Sequence, residues 1–337
     1  MISVVIPTYN KAGYINKTIE SVLNQTYKDW EIVIVDDCSK DNTEEVVQKY
    51  LSDKIRYYKH KTNIGPGANF NYGIEKARSE YVTIIASDDV LLPNHLEKVM
   101  EEFGDDEVET VFPILHTIDE TGKLTEKEAG NKSIDKYLLL NRLFYIRNVL
   151  PSPGISFKKT LFKKTPPFNP SLIMTHDYDL NVRALMHGKA SIVSEPTVLY
   201  RRFSDPLINL SGNTGWVRVC EKVETNKVLD NFLNLEYDDM KKVFPQLVNC
   251  TAEDIKFRLL VDTCKYGDER LKSWGLERLI DFLEKNEGFF KGNRFDFQFK
   301  DYINLYKLNK VVVVGTTHKQ RLFTCIKNII KRLFGLR

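Results

Sequence analysis

The chain has 337 residues, of which 42% are hydrophobic and 28% are charged, as is ordinary for a soluble globular protein of two domains. Its 49 basic and 46 acidic residues give a net charge of +3, which is too small to make nucleic acid a partner of the whole chain. No apolar run reaches the roughly 20 residues of a membrane-spanning helix, and the five cysteines lack a CxxC pair, which favours a reducing, cytoplasmic location.

Strand and helix patterns alternate over the first ninety or so residues. Short apolar runs predict buried strands, and segments with apolar residues at helical spacing predict helices between them. Because the chain opens on a strand pattern, we expect no secretory signal peptide. The alternation predicts βαβ units and a parallel sheet. The predicted strands are residues 3–6, 31–35, 55–59 and the run that starts at Tyr81, and the predicted helices begin near Tyr14, Val46 and Ala68.

Two of these strands end in paired carboxylates. Asp36 and Asp37 follow the second strand, and Asp88 and Asp89 follow the last one. In an open parallel sheet, ligands bind in the crevice outside the carboxyl ends of the strands. Adjacent like charges require a cation when they are buried, and a divalent ion held by one or two carboxylates plus substrate phosphates meets that need. The alternative for Asp88 and Asp89 is a solvated turn.

Two common phosphate-binding motifs are missing from the sequence. No GxGxxG follows the first strand, and no GxxxxGK[ST] occurs anywhere in the chain. The absence of both removes the usual dinucleotide-dependent dehydrogenase and the usual P-loop kinase. Phosphate binding would therefore depend on a cation.

Three ordered segments closely resemble the nucleotide-sugar domain of family 2 glycosyltransferases, which have the GT-A fold. They are VVIPTYNKAGYINKTIESVLNQTYKDWEIVIVDDCSKDNT, NIGPGANFNYGI and YVTIIASDDVLLP, and the likeness is strong over residues 1–110 and looser to about residue 205. The resemblance implies an α/β, Rossmann-like GT-A fold with a mostly parallel central sheet flanked by helices. It also implies a nucleoside diphosphate sugar as the donor, with Mn²⁺ or Mg²⁺ as the cofactor.

The resemblance assigns roles to residues at the strand ends. Asp37 matches the family residue that accepts a hydrogen bond from the pyrimidine base. Asp88 is implied to lie towards the ribose, and Asp89 is the implied direct ligand of the metal ion. The remaining residues implied to contact the donor are Pro7, Thr8, Tyr9 and Asn69. Phe70, where many members have Arg, and Ala86, where some have Asp, depart from the family pattern and leave the nucleotide preference open.

The acceptor side needs a base that takes the proton from the attacking hydroxyl. The segment THDYDL, which starts at Thr175, resembles the family motif Glu-Asp-x-Asp-Leu, in which the first Asp is the base. Asp177 is therefore the implied catalytic residue, and Asp179 is expected to be structural. His176 stands where Glu is usual. The alternative for Asp177 is a helix N-cap, a role that Asp fills well.

A further strand pattern covers residues 191–200 and is followed by Arg201 and Arg202. Their planar donor groups suit a diphosphate, although surface arginines beside a strand are common. The QxxRW motif of processive synthases is absent, which predicts the addition of a single hexosyl or N-acetylhexosaminyl group.

The sequence patterns divide the chain into four parts. Residues 1–110 form the predicted nucleotide-sugar-binding part, residues 111–215 the acceptor-binding part, and residues 216–310 a helical C-terminal appendage. Residues 311–337 contain a short strand and then a basic amphipathic helix, Arg321–Arg337, without a single acidic residue. Such a helix is typical of a membrane-surface segment, and the alternative is a terminal helix docked on the core.

These patterns lead to one hypothesis and two rivals. The hypothesis is a metal-dependent, inverting glycosyltransferase that moves a sugar from a nucleoside diphosphate sugar, with a UDP-sugar as the expected donor, to a saccharide or lipid-linked saccharide at the cytoplasmic face of the cell membrane. One rival is a nucleotidyltransferase, which would need a glycine-rich basic loop where residues 7–10 stand. The other is a non-catalytic scaffold with a degenerate transferase fold, an alternative that Phe70, Ala86 and His176 keep open.

Overall fold

The computed structural model describes residues 1–130, 134–205, 215–286, 289–290 and 294–308. Its contacts divide the chain into two units, Met1–Val248 and Asn249–Arg337. The first unit contains one large sheet with helices, and the described part of the second unit is helical. The predicted α/β fold class is confirmed.

The first unit contains nine strands and eight α-helices in its described residues. The strands are β1 (Ile2–Thr8), β2 (Trp30–Asp36), β3 (Ile55–Lys59), β4 (Tyr81–Ile84), β5 (Val90–Leu91), β6 (Val108–Ile118), β7 (Leu124–Ala129), β8 (Ser156–Lys158) and β9 (Lys189–Arg201). The helices are α1 (Ile15–Leu23), α2 (Thr43–Gln48), α3 (Pro66–Lys76), α4 (His95–Glu102), α5 (Lys136–Tyr145), α6 (His176–His187), α7 (Gly215–Asp230) and α8 (Tyr237–Val243).

The first four strands form the parallel part of the sheet, in the spatial order β3, β2, β1, β4. The apolar side chains of β1 and β2 are buried on both faces, as is usual when helices cover both sides of a parallel sheet. The pairing places Thr8 at the end of β1 opposite Asp36 at the end of β2. The four strands predicted in this region are confirmed.

The second part of the sheet extends the same edge. Strand β8 is antiparallel to both β4 and β6, so β6 runs in the direction of β4, and β9 is parallel to β6. The carboxyl ends of β1, β2, β3, β4, β6 and β9 therefore point to one edge of the sheet. The predicted strand at residues 191–200 is confirmed as β9, whereas β5, β6, β7 and β8 were not predicted from the sequence.

Gly73 on α3 brings this helix close to the parallel strands. A Cβ atom at this position would lie 2.3 Å from Cγ1 of Val5 on β1 and 3.3 Å from Cγ2 of Val35 on β2. Any side chain here would push the helix away from the sheet. The close approach fixes α3, and the turn before it, next to the carboxyl edge.

The second unit contains three helices in its described residues: α9 (Ile255–Tyr266), α10 (Glu269–Lys285) and α11 (Phe299–Leu308). Trp274 and Phe257 are fully buried in it. Helices α7 and α8 belong to the first unit, because the division falls after Val248. The predicted strand and amphipathic helix of residues 311–337 lie outside the described residues. In the part of the chain that the structure describes, no helix is both long and apolar enough to cross a membrane.

Candidate active site

The turn after β1 meets the end of β2 at the carboxyl edge of the sheet. The backbone N–H of Asp37 donates a 2.9 Å hydrogen bond to the carbonyl oxygen of Thr8. Oγ1 of Thr8 is buried and has no hydrogen-bond partner among the described residues. Pro7 is half-buried, and Tyr9 is 46% exposed. This edge of the sheet therefore carries the hydroxyl of Thr8, which has no partner among the described residues, and the exposed ring of Tyr9.

Asp37 holds the turn that precedes α3. Its Oδ1 accepts from the backbone N–H of Ile64 at 2.7 Å, and its Oδ2 accepts from that of Gly65 at 3.0 Å. Gly65 has a φ of +84°, which a glycine adopts without strain. Asn69 is buried one turn further on, where its Nδ2 donates to the carbonyl oxygen of Val35 and its Oδ1 has no partner within the described residues. The carboxylate of Asp37 and the amide of Asn69 thus connect the start of α3 to the end of β2.

Asp89 is a buried carboxylate with one unpaired oxygen. The chain turns between Ala86 and Asp89, so the predicted alternative of a turn is right for the backbone, but Asp89 is only 1% exposed and is not solvated. Its Oδ1 accepts from the backbone N–H of Arg201 at 2.7 Å, and its Oδ2 has no partner in the described residues. Burial, and then the charge of Asp88, raise the pKa of Asp89 well above its usual value.

Arg201 supports the turn that carries the two aspartates. It is 3% exposed, and its Nε donates to the carbonyl oxygen of Asp88 at 2.8 Å. Its Nη1 donates to the carbonyl oxygens of Asp119 and Glu120. Nε and Nη1 therefore donate to backbone carbonyls, and the expectation that the guanidinium faces a diphosphate stays a prediction. Arg202 donates to the hydroxyl of Tyr200.

The aspartate turn fits a divalent cation that is completed by substrate. Within the described ranges, no group of three or more His, Cys, Asp or Glu side chains forms a closed metal site. Asp88 and Asp89 nevertheless supply adjacent carboxylates, and Oδ2 of Asp89 is a buried acceptor that lacks a donor. Magnesium and manganese are commonly held by one or two carboxylates plus substrate phosphates. The residues present therefore fit the implied Mn²⁺ or Mg²⁺.

Asp177 lies at the second residue of α6 and is held by a neighbouring loop. Its Oδ2 accepts from Oγ of Ser152 at 2.8 Å and from Nδ2 of Asn148 at 3.2 Å. Its Oδ1 accepts from the backbone N–H of Tyr178 at 2.7 Å. The N-cap position belongs to Thr175, so Asp177 is not the helix cap. A half-buried carboxylate in the first turn also interacts favourably with the helix dipole.

The loop that holds Asp177 also contacts the strand that leads to the aspartate turn. After Ser152, Gly154 donates its N–H to the carbonyl oxygen of Ile84 at 2.7 Å, and Ile84 donates back to Ile155 at 2.9 Å. Ile84 is the last residue of β4, four residues before Asp88. Short backbone bonds therefore connect the position of the candidate base to the position of the candidate metal ligand.

Glu224 on α7 fixes the chain just before Asp177. Its carboxylate is 8% exposed and accepts from three successive backbone N–H groups, those of Ile173, Met174 and Thr175, at 2.8–2.9 Å. These bonds satisfy the backbone donors of the three residues that lead into α6, the last of which is its N-cap residue. Local sequence patterns do not predict this role, because Glu224 is about 50 residues away in the chain and on another helix.

An aromatic cluster joins α3 to the start of α6. The ring centre of Phe70 lies 4.7 Å from that of Phe168 and 5.3 Å from that of His176. Nδ1 of His176 lies 3.0 Å from the carbonyl oxygen of Ile173, and Asn71 exchanges two hydrogen bonds with the backbone of Phe168. Two of the departures from the family pattern, Phe70 and His176, are thus neighbours in space.

Two further charged residues complete the description of the site. Asp179 is buried and pairs with Arg183 at 2.6 Å, within the body of the fold. Lys11 pairs with Asp88 at 2.6 Å, and sequence reasoning had missed this lysine. A basic residue next to the turn PTYN was the only signal that could have identified it.

The fold and this edge define an α/β protein with a mostly parallel sheet and a group of carboxylates at the ends of its strands. Residues 3–165 match the family model described as Glycosyl transferase family 2. An uncharacterized glycosyltransferase of Methanocaldococcus jannaschii is 30% identical over 207 residues, which are 60% of this chain and 70% of that protein. The chain therefore belongs to glycosyltransferase family 2.

Two more similarities extend over most of the chain. The GalNAc(5)-diNAcBac-PP-undecaprenol beta-1,3-glucosyltransferase of Campylobacter jejuni is 30% identical over 247 residues, which are 72% of this chain and 78% of that protein. The crystal structure of S. aureus TarS residues 1–349 with UDP-GlcNAc superposes with a TM-score of 0.56 and 18% identity. That superposition covers 92% of this chain and 90% of the TarS chain, and it supports the GT-A fold.

Proposed function

We propose that this protein is an inverting, metal-dependent glycosyltransferase that moves one sugar from a UDP-sugar to a saccharide or lipid-linked saccharide. The observation that carries the proposal is the buried Oδ2 of Asp89 at the carboxyl edge of the sheet, which has no hydrogen-bond partner among the described residues. A buried acceptor without a donor is costly unless a ligand satisfies it. Asp89, with Asp88 beside it, would hold Mn²⁺ or Mg²⁺, which stabilises the charge on a leaving diphosphate as a Lewis acid.

The acceptor is activated by Asp177 in this proposal. Its carboxylate takes the proton of the acceptor hydroxyl while that oxygen bonds to the anomeric carbon of the donor. The bond from this carbon to the diphosphate breaks, and the diphosphate leaves with the electron pair. Ser152 and Asn148 donate to Oδ2 of Asp177 and orient it, which leaves its remaining lone pairs for the hydroxyl.

The nucleotide is recognised at the ends of β1 and β2. Asp37 and the turn that it holds would face the base, the ring of Tyr9 would stack on it, and Thr8 and Asn69 offer buried acceptors or donors without partners. A UDP-sugar as the donor is proposed by analogy with the nucleotide bound in TarS. A lipid-linked acceptor is proposed by analogy with the substrate in the name of the Campylobacter relative.

The first experiment measures release of nucleoside diphosphate from a panel of UDP-, GDP- and dTDP-sugars, with Mn²⁺ or with a chelator. We expect metal-dependent release from one UDP-sugar. Asp89→Asn should abolish it, whereas Asp53→Asn, which changes an exposed aspartate away from the edge, should not. Formation of a nucleoside triphosphate and a sugar 1-phosphate when pyrophosphate is added to the same donors would favour a nucleotidyltransferase, and nucleotide binding without turnover in the presence of acceptors would favour a scaffold.

The proposed location is the inner face of the cell membrane, through Arg321–Arg337, which lie outside the described residues. The eight leucine, isoleucine and phenylalanine residues and the five basic residues of this segment would place an amphipathic helix on an anionic surface. Deleting residues 321–337 should release the protein from anionic liposomes without changing donor turnover in solution. Unchanged cosedimentation of the shortened protein would contradict the membrane role.

A further inference from the structure

Lys11 is the ion-pair partner of Asp88. Its Nζ lies 2.6 Å from Oδ2 of Asp88, and the two side chains are 20% and 18% exposed. Within the part of the chain that the structure describes, the Asp88 carboxylate makes no other hydrogen bond or ion pair. Lys11 stands in the loop between β1 and α1, on the side of the edge where the donor would enter.

The main chain of Lys11 is fixed while its side chain extends across the edge. Its N–H donates to Oγ1 of Thr43 at 3.1 Å, and its carbonyl oxygen accepts from the N–H of Tyr14 at 3.0 Å. Its Nζ also lies 4.8 Å from the ring centre of Phe203. Because the backbone is held, only the flexible stem of the lysine has to rotate for the ammonium to change partners.

The position of this ammonium disfavours a cation bound on its own. A divalent ion on Asp89 would lie beside Asp88 and would share that carboxylate with Lys11, and the two positive charges would repel each other at a partly buried site. A diphosphate supplies enough negative charge for both cations. Phosphate oxygens also accept short, strong hydrogen bonds from an ammonium.

We propose that Lys11 is a diphosphate-binding residue that neutralises Asp88 until the donor arrives, so that the divalent cation enters together with the nucleotide. The inference rests on the proposed function of the edge as a donor site. In the nucleotide-free protein, Lys11 competes with the cation for Asp88. In the loaded protein, it leaves Asp88 and pairs with the diphosphate.

The test uses two binding measurements on the full chain. Free Mn²⁺ is followed by electron paramagnetic resonance as it is titrated into nucleotide-free protein, and UDP binding is measured calorimetrically at saturating Mn²⁺. Lys11→Met should bind Mn²⁺ about tenfold more tightly and UDP about tenfold more weakly than wild type, the effect of one charged contact. If the substitution only damaged the fold, the variant would bind both Mn²⁺ and UDP more weakly than wild type. Lys17→Met, at an exposed position on α1, should change neither.

Two results would overturn the proposal: Mn²⁺ binding by Lys11→Met that is no tighter than wild type, or UDP binding that is no weaker. Lys11→Arg keeps the charge and should stay near wild type in the Mn²⁺ titration, and Lys11→Gln replaces Lys11→Met if that variant does not fold. If wild type binds no UDP, the proposed donor site fails, and the Mn²⁺ comparison by itself still decides whether Lys11 competes with the cation.

Discussion

The donor side and the acceptor side of the candidate site hold their carboxylates differently. On the donor side, Asp37 and Asp89 are buried at the ends of parallel strands, and backbone N–H groups donate to them. On the acceptor side, Asp177 is half-buried on a helix, and the side chains of Ser152 and Asn148 hold it. The donor-side carboxylates are therefore held by the backbone of the fold itself. Asp177 is held partly by two side chains, which can be substituted one at a time.

This difference decides which substitutions report on chemistry. Replacing Asp37 leaves two backbone N–H groups, those of Ile64 and Gly65, without their acceptor, so the turn before α3 and the proposed nucleotide site change together. Replacing Asp177 removes an acceptor from two side-chain groups, the hydroxyl of Ser152 and the amide of Asn148, which can rotate towards other partners, whereas a backbone N–H cannot. The acceptor side is thus the better place to separate catalysis from folding.

The largest expected effect is that of Asp177→Asn. The amide keeps the shape of the side chain but cannot take a proton, so transfer should fall by about a thousandfold while UDP-sugar binding stays near wild type. The measurement compares product formation with the calorimetric affinity for UDP, and Asp53→Asn is the control. Transfer near the wild-type rate would mean that another group is the base.

Glu224→Ala should have the next largest effect, because three backbone N–H groups before α6 lose one shared acceptor. We expect the free energy of unfolding, from urea titration, to fall by about 3 kcal/mol, and transfer to slow even where the protein is folded. Glu224→Gln keeps one acceptor oxygen and should lose less.

Glu221→Ala, one turn earlier on the same helix, is the matched control. Glu221 only approaches Arg147 at 4.0 Å on the surface, so its removal should change the free energy by less than about 1 kcal/mol. Equal losses for Glu224→Ala and Glu221→Ala would show that α7 does not fix the start of α6 through this carboxylate.

The same contrast explains what the sequence predicted. Strands β1 to β4 were predicted because their apolar runs are local and continuous, and the residues after each strand are placed by that strand alone. Asp36, Asp37, Asp88 and Asp89 could therefore be placed at one edge from the sequence. The burial of Asp89 could not be predicted, since its Oδ1 accepts from the backbone N–H of Arg201, 112 residues away.

The position of Asp177 depends on contacts with residues that are distant in the sequence, and no local sequence pattern predicts such contacts. Ser152 contacts Asp177 from 25 residues away, and Glu224 contacts Thr175 from 49 residues away. Strand β8 has three residues, too few for a period to be recognised. Nη1 of Arg201 donates to backbone carbonyls in the turn after β6, a contact that the sequence pattern around Arg201 does not predict. The motif identified Asp177, and only the structure shows what holds it.

A smaller effect on stability, one that depends on pH, is expected for His95, which packs against Gly154 in the loop that holds Asp177. It is buried on α4, where a Cβ on Gly154 would lie 3.0 Å from its ring, and burial lowers its pKa to about 3. The unfolded chain binds a proton near its ordinary pKa of about 6.5, whereas the folded protein does not. This contribution to stability is therefore present above pH about 6.5 and is lost as the pH falls towards about 3, at up to about 1.4 kcal/mol per pH unit.

His95→Asn should remove this slope. Urea unfolding at several pH values between about 7 and about 5 measures the difference in slope between wild type and variant. Asp89 acts in the opposite direction, because its raised pKa lets the folded protein bind a proton first, but it is common to both proteins and cancels in the comparison. Parallel slopes would mean that His95 is not the group that titrates.

The smallest expected effect concerns Phe70 and His176, the pair that joins the donor helix α3 to the start of α6. Their ring centres are 5.3 Å apart, and Phe168 contacts both. Phe70→Arg alone places a charge against two aromatic rings, and His176→Glu alone places a carboxylate beside Asp177, so each should reduce stability and transfer. In the double variant the new charges lie close enough to pair, so the free energies of unfolding should show a favourable coupling of about 1 kcal/mol. Additive effects would mean that the two positions act independently and that the donor and acceptor sides are not coupled through these rings.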